Sequence, residues 1–289
     1  MKVNPIFKRE IMVSSRSRSL PALICVVNTL LFAVTLIGAS GVAATMRMTA
    51  KSDYGAFLRI YGFVVLLEFM LLLFITPSLT SGAISSERER ETLDLMFTTQ
   101  MSPGEIVLGK LMSNMSFVIV LEITCIPAVL VALIYGGVTV REIGELTVIF
   151  TFEAFVFMSA GMFFSSFSKS TARATAYTYG FIVFLCFGTA VLSMLLSIIS
   201  GGNNIMSLWI LLINPLVNVA NTVAGQMGET GLITEAALRL FSGGESLIIR
   251  GWSILGTALQ LLMAAVMLLM AVANISPRRK KRKELDFEL

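Results

Sequence analysis

The chain has 289 residues, of which 56% are hydrophobic and 14% are charged, and its formal net charge is +4. Its mean hydropathy of +0.84 lies outside the usual range of soluble domains, so we predict an all-α integral membrane protein. The sequence contains no histidine, which excludes histidine-ligated zinc, a Ser-His dyad and imidazole general-base catalysis.

The N-terminal segment has the pattern of a short helix at the membrane interface. Asn4 and Pro5 are typical of a helix cap and a first helical residue, and apolar residues recur around them at four-residue spacing. Basic residues flank this pattern. The helix could lie on an anionic inner leaflet, or the charges could simply anchor the first span.

Six apolar stretches are long enough to cross the hydrocarbon core as helices. They cover about residues 20–42, 60–80, 111–135, 146–167, 174–199 and 252–275. Between the last two spans, residues 201–249 contain an apolar piece too short to cross, after which Asn214 and Pro215 are typical of a new helix start. We therefore predict an outer re-entrant or interfacial region there.

Residues 82–110, which we call the hairpin, form a charged segment between the second and third spans. Ser86 followed by Glu89 predicts a capping box, so a helix should begin there with an apolar face further along. That face would carry Leu93, Met96 and Phe97. Ser102 and Glu105 predict a second capping box, and the helix that begins there should continue without a breaker into the third span.

The hairpin resembles the permease subunits of type-2 ATP-binding cassette (ABC) transporters, which have the type V exporter fold. The family pattern GAI-x-x-ERE-x-x-T-L-x-L-x-x-TT-P-x-S-x-x-E-I-V-x-GK corresponds here to GAISSERERETLDLMFTTQMSPGEIVLGK. Gln100 stands where the family has proline, while Ser102 and Pro103 still mark a helix start.

The resemblance implies that part of the hairpin is a coupling helix that lies in a groove of a separate ABC ATPase subunit. The residues implied in this contact are Glu87, Arg88, Glu89, Arg90, Glu91, Thr92, Leu93, Met96 and Phe97. A solvated loop with internal salt bridges is the alternative interpretation of the same charges.

Three glutamates lie inside predicted spans, namely Glu68, Glu122 and Glu153. An ionised carboxylate within a span costs free energy unless it is paired with a positive charge or hydrated. No lysine or arginine lies within any predicted span. The three residues could therefore line a translocation pathway, or they could form a structural polar cluster that holds the helices together.

A ladder of small residues at four-residue spacing begins just before the fifth span. It consists of Ala172, Ala176 and Gly180. Small residues let helices approach closely, so this face could pack within the subunit or form a dimer contact with a second permease subunit.

Lysine and arginine positions give the orientation. With both termini in the cytoplasm, the inner segments hold 16 of the 22 basic residues, which satisfies the positive-inside rule for six spans. We expect a multi-pass protein of a bacterial cell membrane, in contact with membrane lipid and with no nucleic-acid partner.

The segment GEIVLGK matches most of a phosphate-binding loop, but Leu111 replaces the Ser or Thr that binds magnesium. We therefore expect no cofactor and no ATP hydrolysis in this chain. The resemblance implies instead that ATP and Mg²⁺ are bound by the partner ATPase subunit.

The function we infer is that of a membrane-spanning permease subunit of an ATP-driven exporter that works as a homodimer or heterodimer. A peptide, a lipid or another amphipathic cargo would suit its apolar spans. The alternatives are a secondary transporter or channel without an ATPase, and a membrane scaffold that transports nothing. A capped, charged docking hairpin favours the exporter, because an ion-driven carrier does not need one.

Overall fold

The structure is a computed structural model that describes residues 7, 9–12, 18–49, 54–93, 102–134, 138–200, 205–228 and 245–275. Within these residues it is helical and contains no strand. Six of the described helices are long and apolar enough to cross a membrane, which confirms the prediction of an all-α protein with six spans.

The helices are numbered in chain order. They are α1 (Ser19–Thr49), α2 (Tyr54–Ser81), α3 (Ser85–Glu89), α4 (Pro103–Ile134), α5 (Val140–Phe167), α6 (Thr171–Val183), α7 (Thr189–Ile199), α8 (Ile205–Leu211), α9 (Pro215–Gln226) and α10 (Glu245–Ile275). A π-helical turn, Phe184–Gly188, joins α6 to α7, so that these two helices form one span.

Several helices extend beyond the apolar stretches predicted from the sequence. The fourth span, expected from residue 146, begins at Val140 because Thr139 and Glu142 form a reciprocal capping box. The hydroxyl and backbone N–H of Thr139 both donate to the Glu142 carboxylate, at 2.8 and 2.7 Å. The cap satisfies backbone donors that would otherwise be orphaned at the helix start.

Helix α5 is the centre of the bundle. It packs against α2, α4, α6 and α10. Of the 18 consecutive residues that form its most apolar part, 61% are buried, whereas the corresponding share for α1 is 17%. Phe69 on α2 lies between Phe150 and Phe157 of α5, with ring centroids 5.8 and 6.1 Å apart. Such tilted aromatic contacts add to the packing of the two helices.

Helices α2 and α5 approach each other closely at Gly161. A Cβ atom added to Gly161 would overlap the Thr80 side chain and would lie 3.2 Å from the Ser81 backbone nitrogen. Only glycine therefore allows α5 to pack so closely against the end of α2. Thr80 and Ser81 directly precede the hairpin, so this contact also sets the position of the hairpin.

The region after the fifth span contains α8 and α9. As predicted, Asn214 caps α9 and Pro215 is its first residue, and the Asn214 side chain accepts a hydrogen bond from Val217 N. Helix α9 packs against α2, α5 and α10. It therefore lies beside three of the spanning helices.

The π-helical turn is tied to this region by the same asparagine. Asn214 Nδ2 donates to the Cys186 carbonyl oxygen at 2.6 Å and to Thr189 Oγ1 at 2.8 Å. A π-turn leaves backbone carbonyls without their usual helical partners, and Asn214 supplies a donor to one of them.

At the N-terminus, residues 7 and 9–12 have helical conformation. The predicted cap Asn4 and first helical residue Pro5 lie outside the described residues.

Candidate functional site

The first helix of the hairpin is shorter than predicted. The expectation that a helix capped by Ser86 would continue through Leu93 is wrong, because α3 covers only Ser85–Glu89 and its N-cap, Ile84, has no side-chain cap hydrogen bond. Glu91 has a φ of 57°, a left-handed conformation that ends a right-handed helix.

A residue other than Ser86 accepts the backbone hydrogen bonds at the start of α3. The backbone N–H groups of Ile84 and Ser85 both donate to Ser165 Oγ on α5, each at 2.9 Å. Ser165 is fully buried. The Ser165 side chain, on a spanning helix, therefore accepts hydrogen bonds at the start of α3, the role predicted for Ser86.

Arg88 binds the end of α5. Its guanidinium donates to the carbonyl oxygens of Ser166 at 2.6 Å and of Ser168 at 2.8 Å. The last carbonyls of a helix carry partial negative charge and have no intrahelical donor. The charged guanidinium therefore both satisfies and stabilises the C-terminus of α5.

Glu89 binds the start of α6 in the complementary way. Its carboxylate accepts from the Thr171 backbone N–H at 3.1 Å and from Thr171 Oγ1 at 3.0 Å. A carboxylate at a helix N-terminus is favourable, because it meets orphaned N–H groups and the positive end of the helix dipole. Since Glu89 is engaged here, it does not complete the predicted capping box with Ser86.

Arg88 and Glu89 together form what we call the clamp, because they join α3 to the short connection between α5 and α6. Oppositely charged neighbours in the hairpin thus match the opposite dipole ends of two consecutive spans. The clamp ties the hairpin to the fourth and fifth spans, in addition to the second and third spans that it connects along the chain.

Lys110 forms a second junction in the hairpin. Its ammonium group lies 3.3 Å from Glu87 Oε1 and 3.0 Å from Glu10 Oε1, and the lysine is 5% exposed. Thr92 Oγ1 also donates to the Glu87 carboxylate. The lysine of the false phosphate-binding loop therefore joins the N-terminal segment, α3 and α4.

The remaining residues implied in ATPase contact differ in their surroundings. Arg90 and Glu91 are exposed, whereas Leu93 is partly buried against the main hydrophobic core. Met96 and Phe97 lie outside the described residues. Arg90 and Glu91 are thus adjacent exposed residues of the hairpin that take no part in the clamp or in the Lys110 junction, and we call them the tip.

The second capping box is confirmed. The Glu105 carboxylate accepts from Ser102 N at 2.8 Å and from Ser102 Oγ at 3.0 Å, while Glu105 N donates to Ser102 Oγ at 3.3 Å. Helix α4 begins at Pro103 and runs without interruption to Ile134. The hairpin therefore continues into the membrane as one rigid helix, as expected.

The three intramembrane glutamates are all buried, but the structure separates them into a pair and a single residue. Glu68 and Glu122 line one small cavity. Glu153 lies apart from it and accepts a hydrogen bond from Asn218 Nδ2 at 3.3 Å. Asn218, which also donates to Thr257 at 3.2 Å, thereby links α9, α5 and α10.

The small-residue ladder lies on the outside of the described subunit. Ala172, Ala176 and Gly180 are all exposed, and a Cβ atom added to Gly180 would meet nothing within 4 Å. The ladder therefore does not mediate the packing of α6 against the described helices of its own subunit.

Within the described residues, no cluster of three or more His, Cys, Asp or Glu side chains could hold a metal ion. The polar groups of the hairpin instead engage helix ends and one another. The site is thus a set of fixed joints between a short surface helix and several spans.

These features define a multi-pass helical membrane protein whose charged hairpin is joined to four spans. A family model described as ABC-2 family transporter protein matches residues 4–276. The chain belongs to this family, and it is a membrane permease component that the family pairs with an ABC ATPase subunit. A comparison with curated proteins found no match.

Proposed function

We propose that this chain is the membrane-spanning permease subunit of an ATP-driven exporter, and that the hairpin transmits movement from a separate ATPase subunit. ATP and Mg²⁺ would be bound by that subunit. The hairpin side would face the cytoplasm of a bacterial cell, and both termini would lie there, in keeping with the distribution of basic residues.

The clamp is the observation that carries this proposal. Arg88 and Glu89 hold α3 against the end of α5 and the start of α6 through four hydrogen bonds to groups at those helix ends. A force on α3 would therefore act on the fourth and fifth spans directly. The uninterrupted α4 would carry the same movement to the third span.

Such an arrangement is expected of a lever and not of a solvated loop. In a solvated loop, the charged groups would be hydrated, and ion pairs between exposed side chains contribute little to stability. Here the half-buried Arg88 and the exposed Glu89 both bind groups at the ends of two spans, and charge-assisted hydrogen bonds are stronger than neutral ones. The side chains of the tip remain free of these contacts and would meet the ATPase subunit.

The dimer is part of the proposal. The ladder on α6 is exposed, and α1 and the α6–α7 span have the least buried apolar windows of the six spans, at 17% and 22%. A second permease subunit that covers this face would bury the small residues against a partner helix. The cargo would then pass between two subunits, and a peptide or lipid is the class that suits the apolar walls.

The proposal is tested by combining Glu89→Arg with Leu93→Ala in the full-length chain, co-expressed with an ABC ATPase from a neighbouring reading frame. The reversed charge would lose its bonds to Thr171, and the truncated leucine would lose apolar contact. We expect ATP turnover to be uncoupled from transport, or the ATPase subunit to be released, while membrane topology stays unchanged. Retained binding together with full transport would contradict the proposal.

A further inference from the structure

A small cavity lies between α2, α4 and α5, far from the hairpin. It has room for about one water-sized body, with a volume of about 20 Å³, and its polar lining is contributed by Glu68, Glu122 and Thr147. Apolar residues such as Val65, Val129 and Phe150 complete the wall. Glu68 is near the middle of α2, so the cavity lies deep within the apolar part of the bundle.

One carboxylate oxygen of Glu122, a residue that lines this cavity, has no hydrogen-bond partner among the described residues. Glu122 is 3% exposed, and its Oε2 accepts a hydrogen bond from Thr151 Oγ1 at 2.7 Å. Its Oε1 is fully buried and makes no hydrogen bond. Buried polar atoms are nearly always satisfied, so an unpartnered carboxylate oxygen on a residue that lines a cavity of this size points to a ligand-binding role.

No described basic side chain forms a salt bridge with either carboxylate. Among the described residues, the salt bridges join Lys110 to Glu10 and Glu87, and Arg141 to Glu145. The titratable groups that interact with the pair are Tyr61 on α2, which interacts with Glu68, and Cys125 on α4, which is hydrogen-bonded to Glu68 and also interacts with Glu122. None of these groups carries a positive charge, and α1 has no acidic or basic residue before Arg47.

We propose that the cavity between Glu68 and Glu122 binds one exchangeable monovalent cation, either a proton or a metal ion the size of sodium. Two carboxylates that share a dry site cannot both stay ionised without a positive charge between them. The volume of the cavity limits that charge to a single small ion, or to a proton with a water molecule. Carboxylate and hydroxyl oxygens suit either ligand.

This site is separate from the hairpin and does not depend on the ATPase subunit. Through this site, the proton or cation concentration would affect the membrane domain at the place where α2, α4 and α5 meet. Its test therefore uses the permease chain alone and is independent of the test of the proposed function.

The test is infrared difference spectroscopy of the full-length chain in phosphatidylcholine vesicles during buffer exchange. One exchange replaces choline by sodium at constant pH, and the other replaces acidic by alkaline buffer in choline alone. A bound proton predicts loss of a carboxylic acid band in the second exchange only. A bound metal ion predicts a change in carboxylate bands in the first. Either result supports the site if the bands disappear in Glu122→Gln.

Matched variants locate the signal. Glu145→Gln removes an exposed carboxylate from α5 and should leave the bands unchanged, and Glu153→Gln removes the separate buried carboxylate and should leave the Glu122-dependent bands in place. If Glu122→Gln fails to fold, Thr151→Val removes the donor to Oε2 and should shift the same bands. Absence of any band that depends on Glu68 or Glu122 in both exchanges would overturn the proposal.

Discussion

The Arg88 guanidinium lies 2.8 Å from the carbonyl oxygen of Ser168, the residue that directly follows α5. Eighty positions of sequence separate the two residues, and the contact joins the hairpin to a connection between spans that the hairpin does not itself link. An arginine that the sequence suggests for an intermolecular contact is therefore engaged within the chain.

Replacing Arg88 by alanine should loosen this joint. Hydrogen bonds that involve a charged group contribute about 1.5 to 3 kcal/mol each when buried, and since Arg88 is only half-buried we expect a loss of about 1 to 3 kcal/mol in unfolding free energy. Transport should fall more than ATP turnover. Arg90→Ala, at an exposed position of the same hairpin, is the control and should leave thermal stability unchanged. Equal stability of the two variants would contradict a stabilising role of the Arg88 hydrogen bonds.

Gly161→Ala should disturb the packing of α5 against the end of α2. The added methyl group overlaps Thr80 and approaches the Ser81 backbone, so it must push the helices apart. Overpacking of this kind costs about 1 to 3 kcal/mol. Gly144→Ala on the same helix meets nothing within 4 Å and should be neutral or slightly stabilising, by up to about 1 kcal/mol. Thermal unfolding in detergent would compare them, and an equal midpoint for both variants would argue against the close contact.

The main features of the fold could be predicted from sequence because they rest on local signals. Apolar stretches gave the six spans, and Ser102 with Glu105 gave the start of α4. The same signal, Thr139 with Glu142, was available for α5 and marks its true beginning six residues before the predicted one. These features depend on neighbouring residues only.

The contacts of the hairpin could not be predicted in this way. The capping pattern of Ser86 and Glu89 is real in sequence, but Ser165 and Thr171 offer better partners once the helices pack. Nothing local indicates that Asn218 reaches Glu153, or that Glu68 and Glu122 share a cavity while Glu153 does not. Such pairings arise from tertiary structure.

Cysteine at Ala176 should form crosslinks between two copies of the chain in the membrane. The position is exposed on α6, and its small neighbours allow a partner helix to come close. Native cysteines would be replaced first. Cysteine at Leu262, a 64% exposed position on α10, is the control. Crosslinks at Leu262 but not at Ala176 would show that the ladder is not the dimer contact.

Glu153→Gln should alter transport while the protein still assembles, if this residue lines the pathway. Glutamine keeps the shape of the side chain and can still accept from Asn218, so folding should change little. Specific transport activity of the purified complex is the measurement. A lower yield of folded protein with unchanged specific activity would indicate a structural role instead.

The central claim, that an ATPase subunit drives this chain through the hairpin, is tested most directly at the tip. Exchanging its charges, Arg90→Glu with Glu91→Arg, keeps the net charge and alters an exposed surface of the hairpin. The matched control exchanges the exposed pair Arg141→Glu and Glu145→Arg, near the opposite ends of the spans. The measurement is the amount of ABC ATPase subunit that co-purifies with each full-length variant. The account predicts a loss of about tenfold or more for the tip variant, as expected for more than about 1.4 kcal/mol of binding free energy, and none for the control. Equal recovery of the ATPase subunit with both variants would contradict it.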